Sequence, residues 1–252
     1  HRACRRRSRD GARGAIDDGR TGRSSHRLQA TALALAFVFA LPIADSVYRI
    51  PIQLSEVIDI VQYVGDAPDV RAAFVIGLHA SPTMLRPMRQ VHTKFLINTA
   101  EWVGSYRTVF RGVHAALAIL LVLAFVVVAR PETPADLAAL TCALTVLAGL
   151  HTFTALFREA YPVNHFLLVT LYGWMVVMIA RTRGGYLADA VAVLCAALAL
   201  LTLELGALVP VVAVAARVAG WKGISSRGLL GIAAVCLLYG YVRIGYLGIL
   251  PP

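Results

Sequence analysis

Residues 186–220 read YLADAVAVLCAALALLTLELGALVPVVAVAARVAG, an apolar run broken at its middle by Thr202-Leu203-Glu204-Leu205-Gly206. As one helix the run would extend about 50 Å at about 1.5 Å per residue, far beyond a hydrocarbon core of about 30 Å. It would also set Glu204 in lipid, where a carboxylate is costly. A hairpin with its turn at residues 204–206 removes both difficulties. Its second arm is short, and Pro210 is expected to bend it. The hairpin also decides where the following charges lie. A single span would carry Arg217, Lys222 and Arg227 to the outer face. Two arms return them to the inner face, where Lys and Arg of short loops belong.

Working outward, apolar runs at residues 28–44, 112–129, 135–153, 164–180 and 229–247 complete about seven spans. With the N-terminus inside, the inner loops are residues 130–134, 181–185 and 217–227, and each carries Arg or Lys. The expectation is an all-α, polytopic transmembrane helical bundle over residues 28–252. A long outer first loop, residues 46–108, carries interfacial helices. Residues 1–27 form a basic cytoplasmic arm with no apolar period, which predicts a disordered tail. A basic leader before an apolar run also describes a signal peptide. Leu41-Pro42-Ile43-Ala44 lacks the small-x-small cleavage pattern, which favours a retained anchor.

The chain is 58% apolar, which excludes an ordinary soluble domain. Its formal charge of +10 is gathered largely in the arm rather than spread as a binding face, so no nucleic-acid partner is expected. Cys142, Cys195 and Cys236 lie in apolar runs without metal-ligand spacing and read as packing residues, while Cys4 lies in the arm. No glycine-rich phosphate loop, His-x-x-x-His pair or Ser/His/Asp arrangement is present. The sequence identifies no cofactor and assigns no metal ligands.

Polar chemistry collects on the outer side. The first loop opens with Ser55-Glu56 and Asp59, then breaks at Ser81-Pro82-Thr83-Met84-Leu85-Arg86-Pro87-Met88. Beyond the break, Leu85, Met88, Val91, Phe95, Leu96, Trp102 and Val103 recur at spacings that predict one greasy helix face. Arg89, His92, Lys94 and Glu101 fall elsewhere. Such a helix lies in the membrane interface rather than crossing it. The connection Phe157-Arg158-Glu159-Ala160-Tyr161-Pro162-Val163-Asn164-His165-Phe166 is dense in ionisable groups. It is either a turn capped by Pro162 and Asn164 or the lining of a surface site in which Arg158 and His165 face an anion. Glu204 is either a solvated turn residue or part of that site. Arg243, inside the last span, either snorkels or faces the protein interior. His114 and His151 read as packing histidines.

This order of features resembles the GT-C class of membrane glycosyltransferases, which includes the protein O-mannosyltransferases and related bacterial families. The likeness rests on the early acidic residue of the first loop, Arg86-Pro87-Met88, Pro162-Val163-Asn164-His165, and Thr202-Leu203-Glu204-Leu205-Gly206 with Pro210. It spans roughly residues 28–250. Ser55-Glu56 stands where many members have two acidic residues, and Leu203 where many have Lys. Members continue with further spans, so the chain looks like an N-terminal portion. The resemblance implies transfer of a sugar from a polyprenyl-phosphate donor to a glycan, lipid or protein acceptor, on the outer face of a bacterial plasma membrane. Glu56 is then the expected general base, with Asp59 second and Asp45 third. Arg86, Arg158, Glu159, Asn164, His165, Glu204 and Arg243 are the expected substrate-binding set. The competing readings are a transporter or flippase-like subunit for an anionic substrate, and a membrane protein without catalysis.

Overall fold

The computed structural model describes the backbone of residues 3–51, 61–79, 85–149 and 163–248, and their side chains from His26 onward, 147–149 apart. All regular structure among these residues is helical. The order is α1 (Ala3–Tyr48), α2 (Val70–His79), α3 (Pro87–Val103), α4 (Tyr106–Ala129), α5 (Pro134–Gly149), α6 (His165–Ala180) and α7 (Tyr186–Thr202). A 3-10 turn (Glu204–Ala207), α8 (Leu208–Val218), α9 (Ser226–Gly240) and a π-helical turn (Tyr241–Tyr246) follow. Helix α1 runs back through the basic arm, for which an irregular tail was expected. No proline falls between Ala3 and Leu41 to interrupt it.

Among the described residues, three segments are long and apolar enough to cross a membrane: His26–Tyr48, Tyr106–Ala129 and Ser226–Tyr246. Only 28%, 33% and 17% of their apolar windows are covered by the rest of the protein, which no core helix of a water-soluble fold would tolerate. Leu35, Phe37, Val38, Leu230, Leu237 and Leu238 are among the large apolar side chains left bare. The protein is a helical membrane protein.

Helices α1 and α4 run antiparallel. Ala32, Ala36 and Ala40, one helical turn apart, let the backbone of α1 approach Val122 and Val126 closely, as small residues do between membrane helices. Val47 closes the opposite end against Ala118, Leu121 and Leu167. A second core joins α6 to α9 through Val176, Ala192, Ala196, Ala199, Ala213 and Ile232. A third, smaller core seats α2 and α3 on the first turn of α4, through Ala73, Leu96, Ile97, Ala100 and Phe110.

The hairpin at residues 186–220 is present, with Glu204 opening its tip. Pro210 lies in the first turn of α8, where the missing N–H would have had no acceptor within that helix. Helix α3 departs from the single greasy face expected of it. Thr93, Leu96, Ile97 and Ala100 point into the protein, while Phe95 and Trp102 are exposed, Trp102 by 87%. The small Ala100 lets α3 lie against α4, which rotates Phe95 and Trp102 outward to positions suited to an interfacial aromatic. Lys94, expected on the polar face, is buried and donates from Nζ to the Gly65 carbonyl at 3.0 Å. Helix α4 starts six residues before the predicted span because Ser105 caps it, accepting from the Thr108 N–H at 3.2 Å.

Candidate functional site

Two ends of the bundle collect polar side chains. At the end where α3, the N-termini of α4 and α6, and the hairpin tip meet, the central feature is an ion pair. Arg86 Nε donates to both Glu204 carboxylate oxygens, at 3.1 and 2.8 Å, and Arg86 Nη2 lies 2.5 Å from Oε2. Their side chains are 20% and 29% exposed, so water is only partly excluded. The two residues are 118 positions apart in sequence.

Local chain geometry places both. Arg86 precedes Pro87, whose fixed φ starts α3. Pro87 lies against Gly77 of α2 so closely that a Cβ there would sit 2.5 Å from the Pro87 Cα, so only glycine allows this approach. On the other side Leu203 is extended and buried, and breaks α7. The Gly206 N–H returns to the Leu203 carbonyl at 2.8 Å, which aims Glu204 toward α3.

Further cations and imidazoles surround the pair. Arg243, buried in the π-helical turn, donates from Nη1 to the Tyr239 hydroxyl at 3.2 Å, and its charge reaches Glu204. Burial pushes the Glu204 carboxyl up, but hydrogen bonds from Arg86 and the charges of Arg86 and Arg243 outweigh it and hold the group below an ordinary glutamate. The ring of His92, on α3, stands 6.0 Å from that of His165, the first residue of α6. Burial lowers the His92 pKa to about 4, so it is neutral at pH 7. Its Nδ1, the Nε2 of His165 and the Oε1 of Gln90 are buried without a hydrogen-bond partner. Arg89 and Arg86 lie within electrostatic range of the His165 ring.

Of the residues expected at the site, Arg86, His165, Glu204 and Arg243 come to this end together. Asn164 is fully buried and faces inward. Its Oδ1 caps α6 by accepting from the Leu167 N–H at 3.0 Å, and its Nδ2 is 2.8 Å from His114 Nε2. His114 is itself fully buried. Asp45 pairs with Arg49 at 2.9 Å on the exposed end of α1. Glu56, Asp59, His151, Arg158 and Glu159 lie outside the described residues.

Sequence reasoning set Arg89 and His92 off the greasy face of α3 without assigning them to the site, and passed over Tyr239. Their signal was spacing: Arg86, Arg89 and His92 recur at intervals of three, and Tyr239 and Arg243 at four, which stacks each set on one helix face. Arg111 was also missed. It is 1% exposed and donates to the Ile50 and Pro51 carbonyls at 3.0 Å each, satisfying backbone acceptors just past the end of α1.

The set is an anion-stabilising one: three guanidinium groups against one carboxylate, with neutral imidazole beside them. Glu204 already accepts from Arg86 through both oxygens, so it orients that guanidinium rather than serving as a free base. Among the described residues no three His, Cys, Asp or Glu side chains group as metal ligands. Comparison with family models, with curated proteins and with solved structures finds no match.

Proposed function

We propose that this chain is a membrane glycosyltransferase of the GT-C type, moving a sugar from a polyprenyl-phosphate donor to an acceptor at the outer face of a bacterial plasma membrane. The observation that carries the reading is the Arg86–Glu204 pair. It joins Arg86-Pro87-Met88 to Thr202-Leu203-Glu204-Leu205-Gly206, the two stretches on which the resemblance to that class chiefly rests. Around the pair, Arg86, Arg89 and Arg243 supply the positive field that a phosphate leaving group needs as charge builds on it. Directly beside Glu204, Leu205 lines an apolar groove of about 260 Å³ with Val169, Gly173, Trp174 and Val209. A groove of that character beside the cation cluster suits an isoprenoid tail.

In this reading the bundle has seven spans with the N-terminus inside, α5 to α8 crossing as short helices. The general base is Glu56, with Asp59 as the alternative, because Glu204 is committed to Arg86. The acceptor hydroxyl loses its proton to that carboxylate as its oxygen attacks the anomeric carbon, and the bond to the donor phosphate breaks. The test uses full-length protein in membranes with a labelled polyprenyl-phosphate hexose. Glu56→Gln should lower transfer by about a hundredfold or more with donor binding retained. Arg86→Gln should weaken donor binding as well. No transfer by the wild-type chain from any such donor, with donor binding also absent, sinks the reading.

A further inference from the structure

The opposite end of the bundle holds a second polar concavity of about 450 Å³. Arg130, Glu132, Arg181, Thr182, Trp221 and Lys222 line it, contributed by three separate connections between helices. Scattered loop cations that merely orient a membrane protein need not share a cavity. These do, and the surrounding chain is arranged to keep them there. The Arg181 guanidinium stacks 4.5 Å from the centre of the Trp221 ring and donates from Nη1 to the Val128 carbonyl at the end of α4. The Gly223 N–H donates to the Ala180 carbonyl at 2.9 Å, tying the loop that bears Trp221 and Lys222 to the end of α6. Arg130 ends α4 at φ 46°, the one non-glycine position with positive φ among the described residues. Glycine or asparagine would take that conformation at lower cost, so an arginine held there calls for a reason beyond ending the helix.

We propose that this pocket binds a phosphate-bearing anion, namely the headgroup of an anionic phospholipid. Three cations face one carboxylate, leaving a surplus of positive charge. Arg181 offers a planar fork suited to phosphate oxygens, and Lys222 a mobile point charge. The pocket sits at the ends of the apolar helices α4 and α6, the depth at which headgroups lie and where basic pockets between membrane helices take them. Trp221 on its wall is the amphipathic residue typical of that layer. The inference rests on the membrane character of the fold and is independent of any transferase activity at the other end.

The test is native mass spectrometry of the full chain in a neutral detergent, titrated with phosphatidylglycerol or phosphatidylcholine. Phosphatidylglycerol should be retained about tenfold better than phosphatidylcholine. Arg130→Gln with Lys222→Gln should abolish that preference. Both side chains are exposed, so the variant removes no core contact. The control, Arg183→Gln with Arg217→Gln, removes the same charge from the same end but outside the pocket and should keep the preference. Lys222→Gln alone should give a partial loss. Displacement of phosphatidylglycerol by comparable concentrations of glycerol 3-phosphate would keep the phosphate site but assign it a soluble ligand. Equal loss in pocket and control variants would mean unspecific charge attraction and overturn the proposal, as would no preference in the wild type.

Discussion

Arg86 and Glu204 each gain from the other what burial removes. A half-buried carboxylate alone is costly, and so is a half-buried guanidinium with its fork unfilled. Removing one partner therefore costs more than the pair contributes, and removing both recovers much of the loss. Arg86→Gln and Glu204→Gln should each destabilise by about 1–3 kcal/mol, and the double variant by clearly less than their sum. Denaturant unfolding in detergent measures the cycle, and strict additivity would show the contact to be unimportant. Arg86→Lys should behave nearly as badly as Arg86→Gln, because an ammonium cannot fill both carboxylate oxygens as a fork. Two titrations then act on stability in the same direction but in different pH windows. His92 takes a proton below about pH 6.5 when unfolded but only near pH 4 when folded, so the unfolded state binds more protons in between. Stability must fall as pH drops through that window. Glu204, lowered in the folded state, holds its contribution above the unfolded glutamate value and loses it only at more acid pH. The melting temperature should thus decline from pH 7 to pH 5, and His92→Gln should make that decline shallower.

Helix ends, rather than helix middles, place the functional groups. Gly206 turns the chain so tightly that a Cβ would meet the Ala199 carbonyl oxygen at 2.1 Å, a backbone atom that cannot move aside cheaply. Gly206→Ala should destabilise by about 1–3 kcal/mol and displace Glu204. Gly240, the last residue of α9 where the chain runs on helically into the π-helical turn, has nothing within 4 Å of its Cβ position and should accept alanine with a gain of about 0.5–1 kcal/mol. Reversed outcomes in thermal melts would contradict the packing at the hairpin tip. The hairpin itself was legible in the sequence because length and one carboxylate sufficed to exclude a single span. The meeting of Arg86 with Glu204 was not, since their distance along the chain hides it. Nor was the burial of Lys94 and Arg111. Each follows where another segment's carbonyls happen to end, at Gly65 and at Ile50 and Pro51, and no pattern local to Lys94 or Arg111 records that. The greasy face of α3 was misplaced for a related reason: periodicity measures apolar residues, but here the small Ala100 chose the contact.

At the scale of the whole molecule, the charge of the described residues is gathered largely at two ends. One end carries Arg130, Arg181, Arg183, Arg217, Lys222 and Arg227 on short connections and the helix turns beside them, and the other carries Arg86, Glu204 and Arg243. Helices α6 and α7, at 16 and 17 residues, measure only about 24–26 Å along their axes, somewhat less than a typical hydrocarbon core. If they cross as the proposed topology has it, flanking side chains such as Arg181 and Tyr186 would make up such a mismatch at small cost. The Arg and Lys of short loops favour the cytoplasmic side, so the proposed topology would put the Arg181 end inside and the Arg86 end outside. Cysteine labelling of intact cells checks this. With Cys4, Cys142, Cys195 and Cys236 replaced by serine, Glu101→Cys should react with a membrane-impermeant maleimide added outside. Arg183→Cys should react only after permeabilisation. Both positions are exposed, so accessibility reports sidedness rather than burial. The opposite pattern would invert the molecule and place the Arg86–Glu204 site in the cytoplasm, out of reach of an acceptor on the cell surface. Labelling of both from outside would mean that the helices between them do not cross the membrane an odd number of times, and the seven-span arrangement would fall with it.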